Sequence, residues 1–169
     1  MLLIEGTATV EDVDEFLDTL AEVGDSAGCT VQAFDARYVA GQEHLRRAVE
    51  LADRAFERGE NVARDRGVEI LLFAAGRRQI DRALEMGVDE GEGPTVVVVD
   101  SPGGDESAEK EVAERVRHLL EPAETLGIEH ADREQVREFF EITDEELDAA
   151  AGDLQDLVLE RVTLLVVER

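Results

Sequence analysis

Ten of the chain's 16 arginines fall within residues 37–82, among them the pairs Arg46-Arg47 and Arg77-Arg78. Guanidinium groups suit anions, phosphate above all, which their planar fork grips with two parallel hydrogen bonds. The same stretch holds eight acidic residues and so carries +2, whereas the other 123 residues, with 7 basic and 34 acidic side chains, sum to −27. Were acidity a uniform property of the surface, the arginines would be spread as well. The stretch is therefore a candidate for meeting an anion. The competing use of these side chains is local ion pairing at helical i,i+4 spacing, Glu43 with Arg47 and Glu50 with Arg54.

The other reactive residue types form no constellation. His44, His118 and His130 lie far apart in the sequence. His118, in a helix rich in Arg and Glu, and His130, beside Glu129, read as surface residues, and His44 reads as part of a helix's polar face. Cys29, between Gly28 and Thr30, reads as a small core residue, and a lone cysteine makes no internal disulfide. There is no Walker-type phosphate loop, no G-x-G-x-x-G after a strand, no G-x-S-x-G elbow and no paired-His zinc helix. No catalytic residue, metal ligand or cofactor follows from the sequence. Asp100-Ser101-Pro102-Gly103-Gly104 ends a strand ahead of a helix, where a phosphate can sit, but Asp105, Glu106 and Glu109 would repel it. A surface turn is the better reading, with a small α/β enzyme holding a phosphate ligand near Gly103 and Gly104 as the alternative.

A length of 169 residues with 43% hydrophobic side chains predicts one domain, 1–169, with a real core, despite a net charge of −25. No apolar run reaches the roughly 20 residues that span a bilayer, and Met1-Leu2-Leu3-Ile4 runs straight into Glu5, unlike a secretory signal. A cytoplasmic location and no membrane partner are expected. Sixteen Arg against Lys110 alone, amid 42 Asp and Glu, resembles the proteins of salt-accumulating halophiles, whose dense carboxylates maintain solubility. The charge is too dispersed for an acidic mimic of nucleic acid.

The elements that must position the arginines are legible as patterns. Met1–Ile4 reads as a strand, followed by a helix opened by Thr9 and Asp12, carrying Val10, Val13, Phe16, Leu17 and Leu20, and ended by Gly24. Thr30–Phe34 reads as a second strand extending toward Tyr38. A long helix from Gly41 to Gly59 buries Leu45, Ala48, Val49, Ala52, Ala55 and Phe56. Asn61–Arg66 adds a helical turn closed by Gly67, and the apolar run Val68–Ala74 reads as an interior strand. A short helix over Arg77–Met86 buries Ile80, Ala83 and Leu84. Thr95–Val99 is a β-branched strand, and a charged amphipathic helix over 106–121 stops at Pro122. Two short helices follow, the second with Thr143 and Glu146 as a capping box. The segment 153–169 is helical by the spacing of Leu154, Leu157, Val158, Val162 and Leu165, although Val162–Val167 also suits a strand. The fold class is α/β: a small central mixed β-sheet of about four strands surrounded by six to eight helices in a single domain.

The segment Glu69-Ile70-Leu71-Leu72-Phe73-Ala74-Ala75-Gly76-Arg77-Arg78-Gln79-Ile80, with Ala83 and Gly87 after it, resembles the small subunit of the KEOPS complex, the TPRKB-like family. His44-Leu45-Arg46-Arg47-Ala48 and Asn61-Val62-Ala63 fit the same family in order, over nearly the whole chain; Ala75 departs from its common Ser, as do the acidified helices after residue 103. The resemblance implies a haloarchaeal-type, non-catalytic subunit that binds the complex's small atypical kinase/ATPase and, through it, the threonylcarbamoyl transferase subunit. It also implies help in capturing tRNA by its acceptor 3′ end for threonylcarbamoyladenosine modification. A kinase-binding scaffold without RNA contact is the alternative within the family.

The resemblance and the charge asymmetry meet at the same residues. Single-stranded RNA ends are held by cations on phosphates together with stacking and base-edge hydrogen bonds. Gly76, Arg77, Arg78 and Gln79 supply such a set at a tight turn, with His44, Arg46 and Arg47 as a facing wall. Tyr38, the only tyrosine, reads as a packed aromatic, with a stacking platform as the alternative. Helix capping and solvent contact are the plain alternative for Arg78 and Gln79. At molar salt the Debye length is about 3 Å, so affinity would rest on short contacts, which Arg makes better than Lys. The apolar carboxyl end completes the core or meets the kinase, and Val158, Val162 and Leu165 are the expected kinase contacts.

Overall fold

The computed structural model describes residues 1–150 and 152–168, with the backbone alone described at 167 and 168. In chain order the elements are β1 (Leu2–Val10), α1 (Val13–Asp25), β2 (Thr30–Asp35), α2 (Gln42–Arg58), α3 (Arg66–Ala75), α4 (Ile80–Ala83), β3 (Gly91–Asp100), α5 (Glu106–Arg117), β4 (Glu121–Pro122), α6 (Arg133–Phe139), α7 (Asp144–Ala149) and α8 (Leu154–Glu168), with 3-10 turns at Ala36–Tyr38 and Leu84–Met86. The α/β class with four strands is as expected. The contacts divide the chain into two compact units, Met1–Ala36 with Gly87–Thr125, and Arg37–Met86 with Leu126–Arg169.

The first unit is a sheet of order β2-β3-β1-β4. Every ladder in it is antiparallel, β1 pairing with β3 from Leu2↔Val99 to Val10↔Gly91. The sheet is antiparallel throughout and not mixed as expected, and the segment 68–74, expected to supply a strand, is helical. The central strand β3 buries Val96–Val99 in an unbroken run, so neither of the two faces to which these side chains alternate is open to solvent there, and the β-branched run suits a strand. The face carrying Ile4, Ala8, Ala33, Val97 and Val99 packs with Leu20 and Val23 of α1 and Val112 and Val116 of α5. Cys29 belongs to this core. Asp12 opens α1 by accepting the Glu15 N–H, whereas Gly24 lies within the helix instead of ending it. α5 ends at Arg117, short of Pro122, which lies in β4.

The second unit is helical, with α2, α3 and α8 packed on one another. α2 presents Leu45, Ala48, Ala52 and Ala55 and ends, as expected, at Gly59 in the left-handed region (φ +68°). The expected strand at 68–74 is the middle of α3. A short apolar run does not distinguish a buried strand from a helix buried all round, and here the ends decide: Asp65 accepts the Val68 N–H at 3.0 Å, and Gly76 closes the helix at φ +61°. Gly67, expected as a terminator, sits in the first turn. Ile80 and Leu84, expected to be buried, are 43% and 52% exposed, while Ala83 and Met86 fill the interior. The second strand does not reach Tyr38, which lies in a 3-10 turn. The capping box of Thr143 and Glu146 forms at the start of α7.

α8 is helical through the stretch that also suited a strand, since burial recurs at Leu154, Val158, Val162 and Leu165. Those residues complete the core of the unit. Arg169, the last residue of the expected segment, lies outside the described residues. Among the described residues no helix is long and apolar enough to cross a membrane.

Candidate nucleic-acid interface

The turn after α3 is built by backbone first. Gly76 donates its N–H to Phe73 O at 3.1 Å and Arg77 donates to Leu72 O at 3.1 Å, the double bond of a Schellman ending. This ending needs a left-handed residue, which glycine occupies without steric cost. The chain then leaves the helix with Arg77 turned inward and Arg78 and Gln79 exposed.

Arg77 is committed to the fold. Its guanidinium lies 4.8 Å from the centre of the Phe139 ring and donates to the Phe139 carbonyl, clamping the turn to the end of α6. Arg78 has no ion pair among the described residues. Gln79 precedes α4 without capping it through its side chain, so capping does not account for it. Arg82, one turn beyond Arg78, lies 3.8 Å from Glu85 with both side chains about half exposed, a weak pair. Gly76, Arg77, Arg78, Gln79 and Arg82 line one open depression of ≈ 340 Å³, with Glu141 and Leu165 on its wall. Four of the expected site residues thus converge. Arg82, which sequence reasoning passed over, joins them; its i,i+4 spacing from Arg78 was the available signal.

The facing wall expected from α2 does not form as drawn. His44 is fully buried: Nδ1 accepts the Ala40 N–H at 3.1 Å, and Nε2 lies 2.7 Å from the Ala74 carbonyl. Those partners assign the proton to Nε2 of a neutral ring, and burial pushes its pKa down to about 4, the hydrogen bond to Ala74 opposing the shift. The ring also meets Phe140 edge-on at 5.6 Å. His44 is thus a tie between the entry to α2 and the end of α3; a helix entry that must cross a buried carbonyl hides its third residue. Arg46 and Arg47 are exposed, outside the depression, and pair within their own helix with Glu43 (3.3 Å) and Glu50 (3.9 Å). The partners differ from the expected i,i+4 ones: each acid takes the arginine three residues away. Arg66 is drawn into a tighter pair with Asp53, at 2.9 Å.

Val158, Val162 and Leu165, the expected kinase contacts, are 0%, 0% and 3% exposed and pack inside the unit, with Leu165 also bordering the depression after α3. The loop at Gly103 and Gly104 is equally filled from within. Asp105 takes the Ala108 N–H at the start of α5, and Glu109 accepts the Ser101 N–H at 2.8 Å, so carboxylates occupy the positions a phosphate would need. His118 and His130 are exposed, as expected.

These features define a class: an α/β protein with an antiparallel sheet in one unit, a helical second unit, and an arginine-lined turn on the latter. The sequence matches the family described as kinase binding protein CGI-121 over residues 8–165, and the chain belongs to that family. No curated protein matches the chain. It is a kinase-binding protein by family.

Proposed function

We propose that the chain is the non-catalytic KEOPS subunit that binds the complex's small atypical kinase and helps recruit tRNA, through its acceptor 3′ end, for threonylcarbamoyladenosine modification in the cytoplasm. The observation that carries the RNA part is the depression at Gly76, Arg78, Gln79 and Arg82, lying within the one stretch of the chain that escapes acidification. An RNA phosphate needs short cationic contacts when salt screens the rest, and Arg78 is an exposed guanidinium outside any ion pair among the described residues, in a depression where arginines outnumber the single carboxylate, Glu141. Arg46 and Arg47 are secondary contacts at most, because both lie outside the depression that Arg82 lines. The kinase reaches the transferase subunit, and this chain needs no cofactor for its part.

The test is a gel shift with tRNA at the protein's working salt. Arg78→Glu with Arg82→Glu is expected to weaken binding at least tenfold while the fold persists, since both side chains are exposed. Unchanged binding would remove the site. The neighbouring acids of Arg46, Arg47 and Arg82 favour a second reading, a kinase-binding scaffold that never touches RNA. Footprinting of the tRNA 3′ end with and without this subunit, in the assembled complex, separates the two: protection that depends on the subunit excludes the scaffold.

A further inference from the structure

Arg82 lines a second depression as well, of ≈ 360 Å³, in the same unit, together with Tyr38, Glu85, Gln135, Glu138 and Phe139. The two hollows share that one arginine but differ in charge. The first has Arg77, Arg78 and Arg82 against Glu141; the second has Arg82 against Glu85 and Glu138. A phosphate is attracted to the first and repelled by the second. An uncharged group with hydrogen-bonding edges meets no such repulsion.

The second hollow is furnished for that kind of group. Tyr38 is held edge-on to Phe139 with ring centres 5.4 Å apart, so its ring is fixed before any ligand arrives. Gln135, on α6, has a side-chain oxygen that is buried without a hydrogen-bond partner. A buried acceptor left unpaired costs free energy that a donor recovers, and turning the amide into the hollow presents a donor and an acceptor side by side. That pair is the complement of a nucleobase edge, and a fixed aromatic wall is what single-stranded RNA uses for stacking. The size falls within the ordinary range of small-ligand clefts, about 300–1,000 Å³.

We propose that the RNA-binding face has two compartments hinged on Arg82, the Gly76–Arg82 depression taking a backbone phosphate and the Tyr38–Gln135 depression taking the neighbouring base of a single strand. This rests on the RNA-binding reading given above. It assigns base readout to residues 38 and 135, contributed by segments about a hundred residues apart, and leaves phosphate contact to Arg78 and Arg82.

The experiment uses the full chain and single-stranded RNA hexamers, intact or with one abasic nucleotide moved through each position, with affinity read by fluorescence anisotropy. For the wild-type protein, one abasic position is expected to lower affinity about tenfold, the worth of one good base contact. Gln135→Leu should bind intact RNA about tenfold more weakly and be indifferent to that abasic position. Arg78→Glu should weaken intact and abasic RNA by the same factor. An abasic penalty that persists undiminished in Gln135→Leu overturns the base compartment while leaving RNA binding standing. If Arg78→Glu changes nothing, the RNA-binding reading itself fails. Photocrosslinking of 5-iodouridine RNA to the unaltered protein gives a readout free of folding effects: adducts on Tyr38 support the assignment, and adducts confined to other segments refute it.

Discussion

Lowering the pH should unlock the second unit through His44. The ring is fully buried, and its Nδ1 faces an N–H, that of Ala40. A proton added there sets donor against donor in a site closed to solvent by burial. The folded-state pKa of about 4 against an ordinary 6.5 means that the unfolded chain binds the proton more readily between those values. The stability the neutral ring contributes is therefore complete above about pH 6.5 and is lost as the pH falls toward 4. At 1.36 kcal/mol per unit, the full effect is about 3 kcal/mol. Titrating both states places about 1 kcal/mol of the loss by pH 5.5 and most of the remainder by pH 4.5. The 42 carboxylates begin to titrate in the same range, so the wild type alone does not isolate the effect. The assay compares urea unfolding of the wild type and His44→Gln at pH 7.5, 6.5, 5.5 and 4.5; the glutamine keeps a donor and an acceptor but has no basic nitrogen. The stability difference should shrink by about those amounts on acidification. Parallel stability curves would refute the argument, as would an NMR titration of the wild-type protein in which His44 changes charge near pH 6.5.

Two further substitutions test how the site is held. Gly76→Ala places a Cβ at φ +61°, where nothing lies closer than 3.6 Å, so the cost is conformational: about 1 kcal/mol by urea unfolding, with loss of RNA affinity because Arg78 is re-aimed. Leu165→Ala opens a cavity at a position 3% exposed and should cost about 2–4 kcal/mol, while kinase co-purification from the still-folded fraction is unchanged; loss of the kinase with stability intact would restore Leu165 as a contact.

Much of the fold was legible because its periods are unambiguous. Val13, Phe16 and Leu20, or Leu45, Ala48, Ala52 and Ala55, recur only as a helix can place them, and Val96–Val99 after Pro94 suits a strand. The failures fall where one pattern serves two structures. Val68–Ala74 is apolar throughout, and such a run carries no period; whether it becomes strand or helix depends on Asp65 and Gly76 at its ends and on α2 and α8 packing around it. Within the site, the same fact explains the fate of His44. Its neighbours Arg46 and Arg47 made it look like part of a polar face, and only the position of the Ala74 carbonyl reveals a buried partner.

From sequence alone came the charge asymmetry, the elements with clear periodicity, and the motif at 69–80 with its family. These are properties of composition and local spacing, and they are written along one dimension. Tertiary structure decided which arginines remain available. Arg77 is bound over Phe139, a residue 62 positions away, and Arg66 is paired with Asp53, whereas Arg78 and Arg82 open onto a depression. It also decided that Val158, Val162 and Leu165 are core and that Tyr38 and Gln135 share a hollow with Arg82. The physical reason is common to all of these: a side chain's accessibility and its partners are set by what packs against it, and packing joins segments whose separation in sequence carries no trace of their contact.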